Sequence, residues 1–281
     1  MLPLNNINIK MAKTFRILYV ASEIKPFLNH TYVSDIVRKL PQAMQEKGIE
    51  IRILVPRFGC INERKNRLHE VVRLSGMNIP IGDDEKPLII KVASIPSAKL
   101  QVYFIDNEDY FERKTIFNKK NGTFHKDNDE RCIFFCKGVL ETVIKLGWAP
   151  DIIHCNDWMT SLVPLMLKTT YKENHIFENT KSIFSIYENS FKEKLNKKFA
   201  DKIIDEEIDM SMLDSLKSLD YNSLIKIASE YSNAIIKPKN VMNKPIEKLL
   251  SETTSDKNIF VINNDENSVD SHFKLYNEIL G

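Results

Sequence analysis

Short, mainly apolar runs alternate with amphipathic stretches along most of the chain, a pattern typical of α/β proteins. Phe15–Ala21 and Asp151–Cys155 are dominated by apolar residues, as expected of parallel strands that are buried on both faces. Val33–Lys47 and Asp129–Leu146 carry apolar residues three and four positions apart, which is a helical spacing, and a glycine follows each of them. This βαβ rhythm predicts a Rossmann-like, mostly parallel sheet with helices on both faces.

Other apolar runs predict the remaining strands, which are Glu50–Val55, Leu88–Ser94, Gln101–Ile105 and Lys181–Ile186. Pro96 lies between the second and third of these and indicates a hairpin. A helix is expected over 160–171, a mobile charged insertion over 191–208, and a short helix at Ser271–Leu280. Because ligands of parallel sheets bind beyond the carboxyl ends of the strands, the functional site is expected at that edge.

Composition narrows the class of protein without identifying it. The 281 residues are 43% hydrophobic and 28% charged, which is typical of a folded globular chain. Forty basic and 38 acidic residues give a net charge of +2, too balanced for a nucleic-acid-binding surface. No apolar run reaches the ~18 residues of a membrane span, and the polar first ten residues lack a signal-peptide pattern. We therefore expect a cytoplasmic protein without nucleic-acid or membrane partners.

The four cysteines are Cys60, Cys132, Cys136 and Cys155, and no two of them form a CxxC pair. We interpret them as reduced, mostly buried thiols, which fits a cytoplasmic protein. A metal site needs more convergent ligands than the chain offers, so neither a metal nor a cofactor is expected.

Five segments occur in the order in which one glycosyltransferase family carries its motifs. They are ILYVASEIKPF at Ile17–Phe27, VYFIDNEDYFER at Val102–Arg113, DNDERCIFF at Asp127–Phe135, PDIIHCNDWMTSLVP at Pro150–Pro164 and SLIKIASEYSNAII at Ser223–Ile236. Together they resemble the N-terminal half of the glycogen/starch synthases. That resemblance implies half of a two-domain GT-B fold and glucosyl transfer from ADP- or UDP-glucose to the non-reducing end of an α-1,4-glucan.

The chain departs from the family pattern at the reactive positions. The family's K-x-G-G-L-x-D loop becomes Asn29–Asp35, with Thr31 and Tyr32 at the two glycine positions. Glycines there let backbone N–H groups approach a diphosphate at a helix N-terminus. Met159 replaces the histidine after the DW pair, and Tyr187 replaces that of the T-I-H-N loop. We expect the phosphate loop to be impaired.

The expected organisation is a residue 1–14 extension, a starch/glycogen synthase N-terminal domain over 15–240, and a 241–281 tail with the second GT-B domain absent. We therefore expect a hexosyltransferase-family protein that is weak or inactive alone. The alternative is a non-catalytic glucan-binding or regulatory module that partners another carbohydrate enzyme, and a scaffold without a sugar ligand is the third. The expected partners are an α-glucan, ADP- or UDP-glucose, and either a protein partner or a second copy.

No catalytic residue is assigned, and each binding candidate has a structural alternative. The candidates are Glu23, Asp35, Tyr110, Arg113, His154, Asp157 and Trp158. Tyr110 and Arg113 lie in the segment that resembles the family's FID-N-YF-R motif. His154 is either a core histidine or faces a ligand, and Trp158 is either core or a platform for a glucose ring. Glu23, Asp35 and Asp157 are either substrate ligands or, in turn, a loop acid, a helix-dipole partner and an N-cap.

Overall fold

The computed structural model describes residues 15–187, 191–238, 244–253, 258–263 and 265–281. Its strands are β1 Arg16–Ala21, β2 Glu50–Pro56, β3 His69–Glu70, β4 Met77–Ile81, β5 Asp84–Ile95, β6 Leu100–Asp106, β7 Ile152–Asn156, β8 Lys181–Ser185, β9 Ala234–Lys237 and β10 Asn258–Val261. Its α-helices are α1 Val33–Glu46, α2 Glu63–Asn66, α3 Glu108–Phe111, α4 Asn128–Leu146, α5 Val163–Lys168, α6 Phe199–Ile203, α7 Tyr221–Tyr231, α8 Lys244–Thr253 and α9 Ser268–Leu280. The predicted 1–14 extension lies outside the described residues.

One sheet runs through the molecule in the order β10-β9-β8-β7-β1-β2-β6-β5-β3, and β4 pairs with β5. The strands from β10 to β6 are parallel, whereas β5 is antiparallel to β6 and forms the predicted hairpin with it. All residues of β7 and all but the first of β1 are buried, so both faces of the sheet are covered. Helices α1 and α9 pack together, and α4, α5, α7 and α8 form a second group. The predicted fold class is confirmed.

Two predicted segments are wrong. The single helix expected over 160–171 is a short 3-10 turn, Trp158–Thr160, followed by α5, which begins one residue before Pro164. Proline favours the first turn of a helix, so the chain restarts there instead of continuing one helix. The charged segment 191–208, expected to be mobile, is packed. Its apolar residues Leu195, Phe199, Ile203 and Ile208 are buried, and Lys202 bonds to two acids of α4.

The described part of the predicted tail joins the sheet and its cover. Strand β10 pairs in parallel with β9, and α9 packs against α1. Tyr276 of α9 is fully buried, and its hydroxyl lies 2.9 Å from that of Tyr19 in β1. The C-terminal helix therefore closes one face of the central strands.

The direction of chain progression reverses between β1 and β7. From β1 the chain moves outward through α1 to β2, whereas β7 lies on the other side of β1 and leads outward to β8. The carboxyl ends of β1 and β7, where Ala21 pairs with Asn156, therefore border the crevice in which such sheets bind ligands.

Candidate functional site at the carboxyl edge of the sheet

Asp157 follows β7 directly at this crevice, in a backbone conformation that side chains rarely adopt. Its φ of 71° and ψ of 173° lie in a region almost restricted to glycine, which costs about 1–3 kcal/mol. Its carboxylate accepts hydrogen bonds from the Met159 N–H at 2.8 Å and from the N–H and hydroxyl of Ser22, which follows β1. Asp157 thus caps the 3-10 turn and links the ends of the two central strands.

The carboxyl group of Asp157 is fully buried, and burial raises its pKa from 3.8 to about 7. The bonds from Ser22 and Met159 oppose this rise because they favour the charged form, and the nearby Glu23 charge adds to it. A carboxyl group that titrates near neutrality at the edge of a sheet can take up or release a proton there.

Glu23 occupies the donors of the loop that precedes α1. Its carboxylate accepts the backbone N–H of His30 at 2.6 Å and that of Thr31 at 2.9 Å, as well as the Thr31 hydroxyl. These are the N–H groups that a phosphate loop would offer to an anion at a helix N-terminus. In this chain a buried carboxylate accepts the hydrogen bonds of these N–H groups instead.

The two glycine replacements also change what surrounds the loop. The ring of Tyr32 packs edge-on against Tyr187 at 5.7 Å, so residues that replace a glycine and a histidine of the family pattern contact each other. Asp35 in the first turn of α1 forms an ion pair with Lys25 at 2.7 Å. Asp35 therefore lies where a negative charge interacts favourably with the positive end of the α1 dipole.

A cleft of about 610 Å³ opens beside Asp157, between the loops that follow β1, β2, β6, β7 and β8. Four aromatic side chains form one side of it, and they are Phe117, Phe124, Trp158 and Phe191. Polar groups are distributed around them, and they belong to His30, Lys114, Thr115, Asn118, Lys192 and Glu193. An apolar surface with a few polar groups is the usual composition of a small-molecule site.

Trp158 lies mostly behind the other aromatic rings of this cleft. Its side chain is only 2% exposed, and its ring packs on Phe117 at 4.8 Å and on Phe191 at 5.0 Å. Phe191 and Phe117 are partly exposed, and Phe191 stacks nearly parallel on Phe124 at 4.9 Å. The apolar surface that faces solvent therefore comes from the phenylalanines, with Trp158 as their support.

Tyr110 and Arg113 lie beside the cleft without lining it. The Tyr110 hydroxyl donates to Glu130 at 2.9 Å, and burial and this acid raise the pKa of Tyr110. The guanidinium of Arg113 donates hydrogen bonds to both oxygens of the Asp127 carboxylate, at 3.0 and 2.5 Å. Burial opposes ionisation of Asp127, but the bonds from Arg113 hold the pKa of this carboxyl group below its ordinary value. Tyr110 thus links α3 to α4, and Arg113 binds the residue that precedes α4.

His154 is a core residue of β7. It is fully buried, with Nδ1 2.8 Å from the Tyr276 hydroxyl and Nε2 2.6 Å from the Ser185 hydroxyl. Burial, helped by the nearby His272, holds the pKa of His154 well below its usual value, so the ring is neutral. The structure therefore brings Glu23, Asp157 and Trp158 to the crevice and keeps His154 inside.

Sequence reasoning missed the three phenylalanines and His125. Phe117 and Phe124 flank a lysine- and asparagine-rich turn, and an aromatic residue on each side of such a turn was an available signal. His125 receives a bond from Arg113 on Nδ1 at 3.3 Å, so its Nε2 donates to the Thr115 hydroxyl at 2.8 Å. Burial and the Arg113 charge lower the pKa of His125, which fits this neutral form.

The described residues contain neither a cluster of potential metal ligands nor a membrane-spanning helix. Over these ranges, no group of three or more histidine, cysteine, aspartate or glutamate residues is arranged to hold a metal ion. The helices of the same ranges include none long and apolar enough to cross a membrane. All four cysteines are free, and Cys60 is the exposed one at the cleft.

Comparisons with known proteins identify related sequences over most of the chain. The family model of the starch synthase catalytic domain matches residues 16–246. A glycogen synthase of Chlorobium luteolum is 42% identical over 197 residues, which are 70% of this chain and 40% of the relative. A glycogen synthase of Chlorobaculum tepidum is 42% identical over 205 residues, 73% of this chain and 41% of the relative. The chain thus spans about two fifths of these curated relatives.

A solved structure shows the same fold. The catalytic domain of starch synthase IV from Arabidopsis thaliana, bound to ADP and acarbose, superposes with a TM-score of 0.69. The superposition covers 88% of this chain and 51% of the other, at 19% sequence identity.

Proposed function

The chain belongs to the starch synthase catalytic domain family, and from this premise we propose that it binds the end of an α-glucan in the aromatic cleft. By family the reaction is glucosyl transfer from ADP- or UDP-glucose to an α-1,4-glucan. We propose that the described chain performs this transfer weakly or not at all when it acts alone. The contact of Glu23 with the loop N–H groups is the observation that carries the second part.

The cleft suits a glucan because it combines ring faces with hydrogen-bonding groups. A pyranose presents C–H groups on its faces, which pack on aromatic rings, and hydroxyl groups around its edge, which need polar partners. Phe117 and Phe191 supply partly exposed rings, and Thr115, Asn118 and Glu193 supply polar groups at the same cleft. Lys114 and Lys192 line the cleft as well, so the combination of exposed ring faces and polar groups, not a lack of cations, supports a sugar chain as the ligand.

Transfer needs more than acceptor binding. The leaving diphosphate of a nucleotide sugar must be stabilised by donors that are free when the charge develops. The N–H groups of His30 and Thr31 are instead bonded to Glu23, and the Thr31 side chain is part of the same contact. This contact supports low transfer activity, and it equally favours a second candidate: a non-catalytic glucan-binding or regulatory module that partners another carbohydrate enzyme.

Incubation of the chain with labelled ADP-glucose or UDP-glucose and glycogen tests the proposal, with a full-length family enzyme as positive control. We expect retention of the folded chain on a glycogen column and incorporation far below that of the control. Incorporation at the level of the control, abolished by Asp157→Ala, would contradict the low activity. Passage of the folded chain through the column without retention would contradict glucan binding.

A further inference from the structure

The aromatic cleft has one wall made by the β6–α4 connection, and this wall is a small antiparallel turn. Asn118 and Phe124 form an isolated bridge, and the Lys119 N–H donates to the Thr123 carbonyl at 2.7 Å. Five consecutive cleft residues, Lys114 to Asn118, precede this turn or belong to its first side. Since the connection has no α-helix or longer strand between α3 and α4, other contacts must fix its position.

Arg131 lies in α4 beneath this wall and is completely buried. Its Nη1 donates to the Ile116 carbonyl at 2.6 Å and to the Asn128 side-chain oxygen at 2.6 Å. Its guanidinium stacks on Phe58 and Phe111, with 5.2 and 5.3 Å between the guanidinium carbon and the ring centres. Its Nε and Nη2 have no hydrogen-bond partner in the described structure.

A buried guanidinium without a carboxylate partner is costly to a fold. Asp127, an acid whose charge acts on Arg131, is already bound by Arg113 through both oxygens. Stability alone therefore does not account for a charge at this place, because an apolar residue of similar volume would avoid the cost. What the charge does supply is a strong donor to a carbonyl of the cleft wall.

Asn128, in the first turn of α4, also forms a hydrogen bond with the wall. Its amide Nδ2 donates to the Phe117 carbonyl at 2.9 Å, and its side-chain oxygen accepts from Arg131. The same Phe117 carbonyl accepts the His125 N–H at 2.9 Å. Successive carbonyls of the wall are thus held by two linked side chains, directly behind the ring that packs on Trp158 at 4.8 Å.

We propose that Arg131 and Asn128 are positioning residues for the glucan cleft, which fix the Ile116 and Phe117 carbonyls and so hold the Phe117 ring against Trp158. Neither residue touches the ligand. Their effect on glucan affinity passes through the wall, and this part of the inference rests on the proposed function. Their effect on the wall itself does not depend on the proposed function.

The test measures the wall and the ligand separately in the full chain. Amide hydrogen exchange, read by mass spectrometry on peptides covering 113–125, reports the wall without ligand, since the Lys119 and His125 N–H groups are bonded there. Calorimetric titration with maltoheptaose reports the cleft. The variants are Arg131→Met, which keeps an apolar stem and loses the donors, and Asn128→Ala, which removes the amide that holds Phe117.

Arg52→Met is the matched control. Arg52 also stacks on two aromatic rings, Trp148 at 4.7 Å and Tyr103 at 5.9 Å, but it lies on β2 and neither ring belongs to the wall. We expect Arg131→Met and Asn128→Ala to raise exchange in 113–125 and to weaken maltoheptaose binding about 3- to 10-fold, the range of one lost hydrogen bond. Arg52→Met should change neither.

Unchanged exchange in 113–125 for folded Arg131→Met and Asn128→Ala would overturn the inference, as would an equal increase in Arg52→Met. If Arg131→Met does not fold, Asn128→Ala alone decides in the same way. Should the wild type not bind maltoheptaose while exchange rises only in the two wall variants, the proposed glucan binding fails and the positioning role stands.

Discussion

Replacement of Glu23 by alanine should weaken the fold and create an anion site. The carboxylate accepts three hydrogen bonds, from two backbone N–H groups and one hydroxyl. Bonds to charged groups contribute roughly 1.5–3 kcal/mol each when buried. Since His30 is exposed, water can replace the carboxylate as a partner at part of the loop, so we expect a net loss close to that of one such bond, about 2 kcal/mol. At about 2–4 °C per kcal/mol, this corresponds to a Tm lower by about 4–8 °C.

The same change frees the His30 and Thr31 N–H groups at the start of α1. Inorganic pyrophosphate is the probe, because it carries the charge of the expected leaving group without the nucleotide. At a concentration of 100 times its Kd, a ligand of the native state adds about 2.7 kcal/mol of stability. Thermal denaturation should therefore show the Tm of Glu23→Ala rising with pyrophosphate, while that of the wild type stays constant.

Glu46→Ala is the control for the change in net charge, since Glu46 is an exposed acid at the other end of the same helix. Its Tm should not respond to pyrophosphate. A wild-type Tm that rises with pyrophosphate as much as that of Glu23→Ala would refute the idea that Glu23 occupies the anion site.

Two predictions concern buried polar groups. Because the pKa of Asp157 is raised from 3.8 to about 7, the native state binds the extra proton between these values, and the free energy of unfolding should fall by about 3 kcal/mol as the pH rises from 4 to 7. In urea denaturation, the free energy of unfolding of Asp157→Asn should not show this fall. The buried His154 and His272 contribute equally to both proteins, so identical pH profiles of the variant and the wild type would contradict the prediction. Tyr276→Phe removes the hydroxyl that is hydrogen-bonded to His154 at 2.8 Å and to Tyr19 at 2.9 Å, so it should lower the free energy of unfolding by about 1–3 kcal/mol. Tyr231→Phe, whose hydroxyl makes a long 3.4 Å contact, is its control, and equal losses in both would contradict the role of the buried network.

The central strands could be predicted because each is a short apolar run that must be covered on both faces, as β1 and β7 show. The sequence of 191–208 indicates a mobile insertion because charged residues are frequent in it. The apolar residues among them, such as Leu195 and Phe199, are nevertheless buried. The spacing of Glu23 and Thr31 does not reveal that the carboxylate turns back onto the loop, since that contact depends on tertiary geometry. Likewise, only the fold brings Phe191 from beyond β8 onto Phe124 from the β6–α4 connection.

The affinity of the chain for maltoheptaose, measured by calorimetry for a matched pair of phenylalanine variants, tests the central claim most directly. Phe191 is partly exposed at the cleft, and Phe273 is partly exposed on α9, where Lys47 lies over its ring at 5.0 Å. If glucan binds in the cleft, Phe191→Ala should weaken binding about 5- to 30-fold, the equivalent of about 1–2 kcal/mol, while Phe273→Ala leaves it unchanged. Equal affinities of the wild type and folded Phe191→Ala would contradict the placement of the glucan in this cleft.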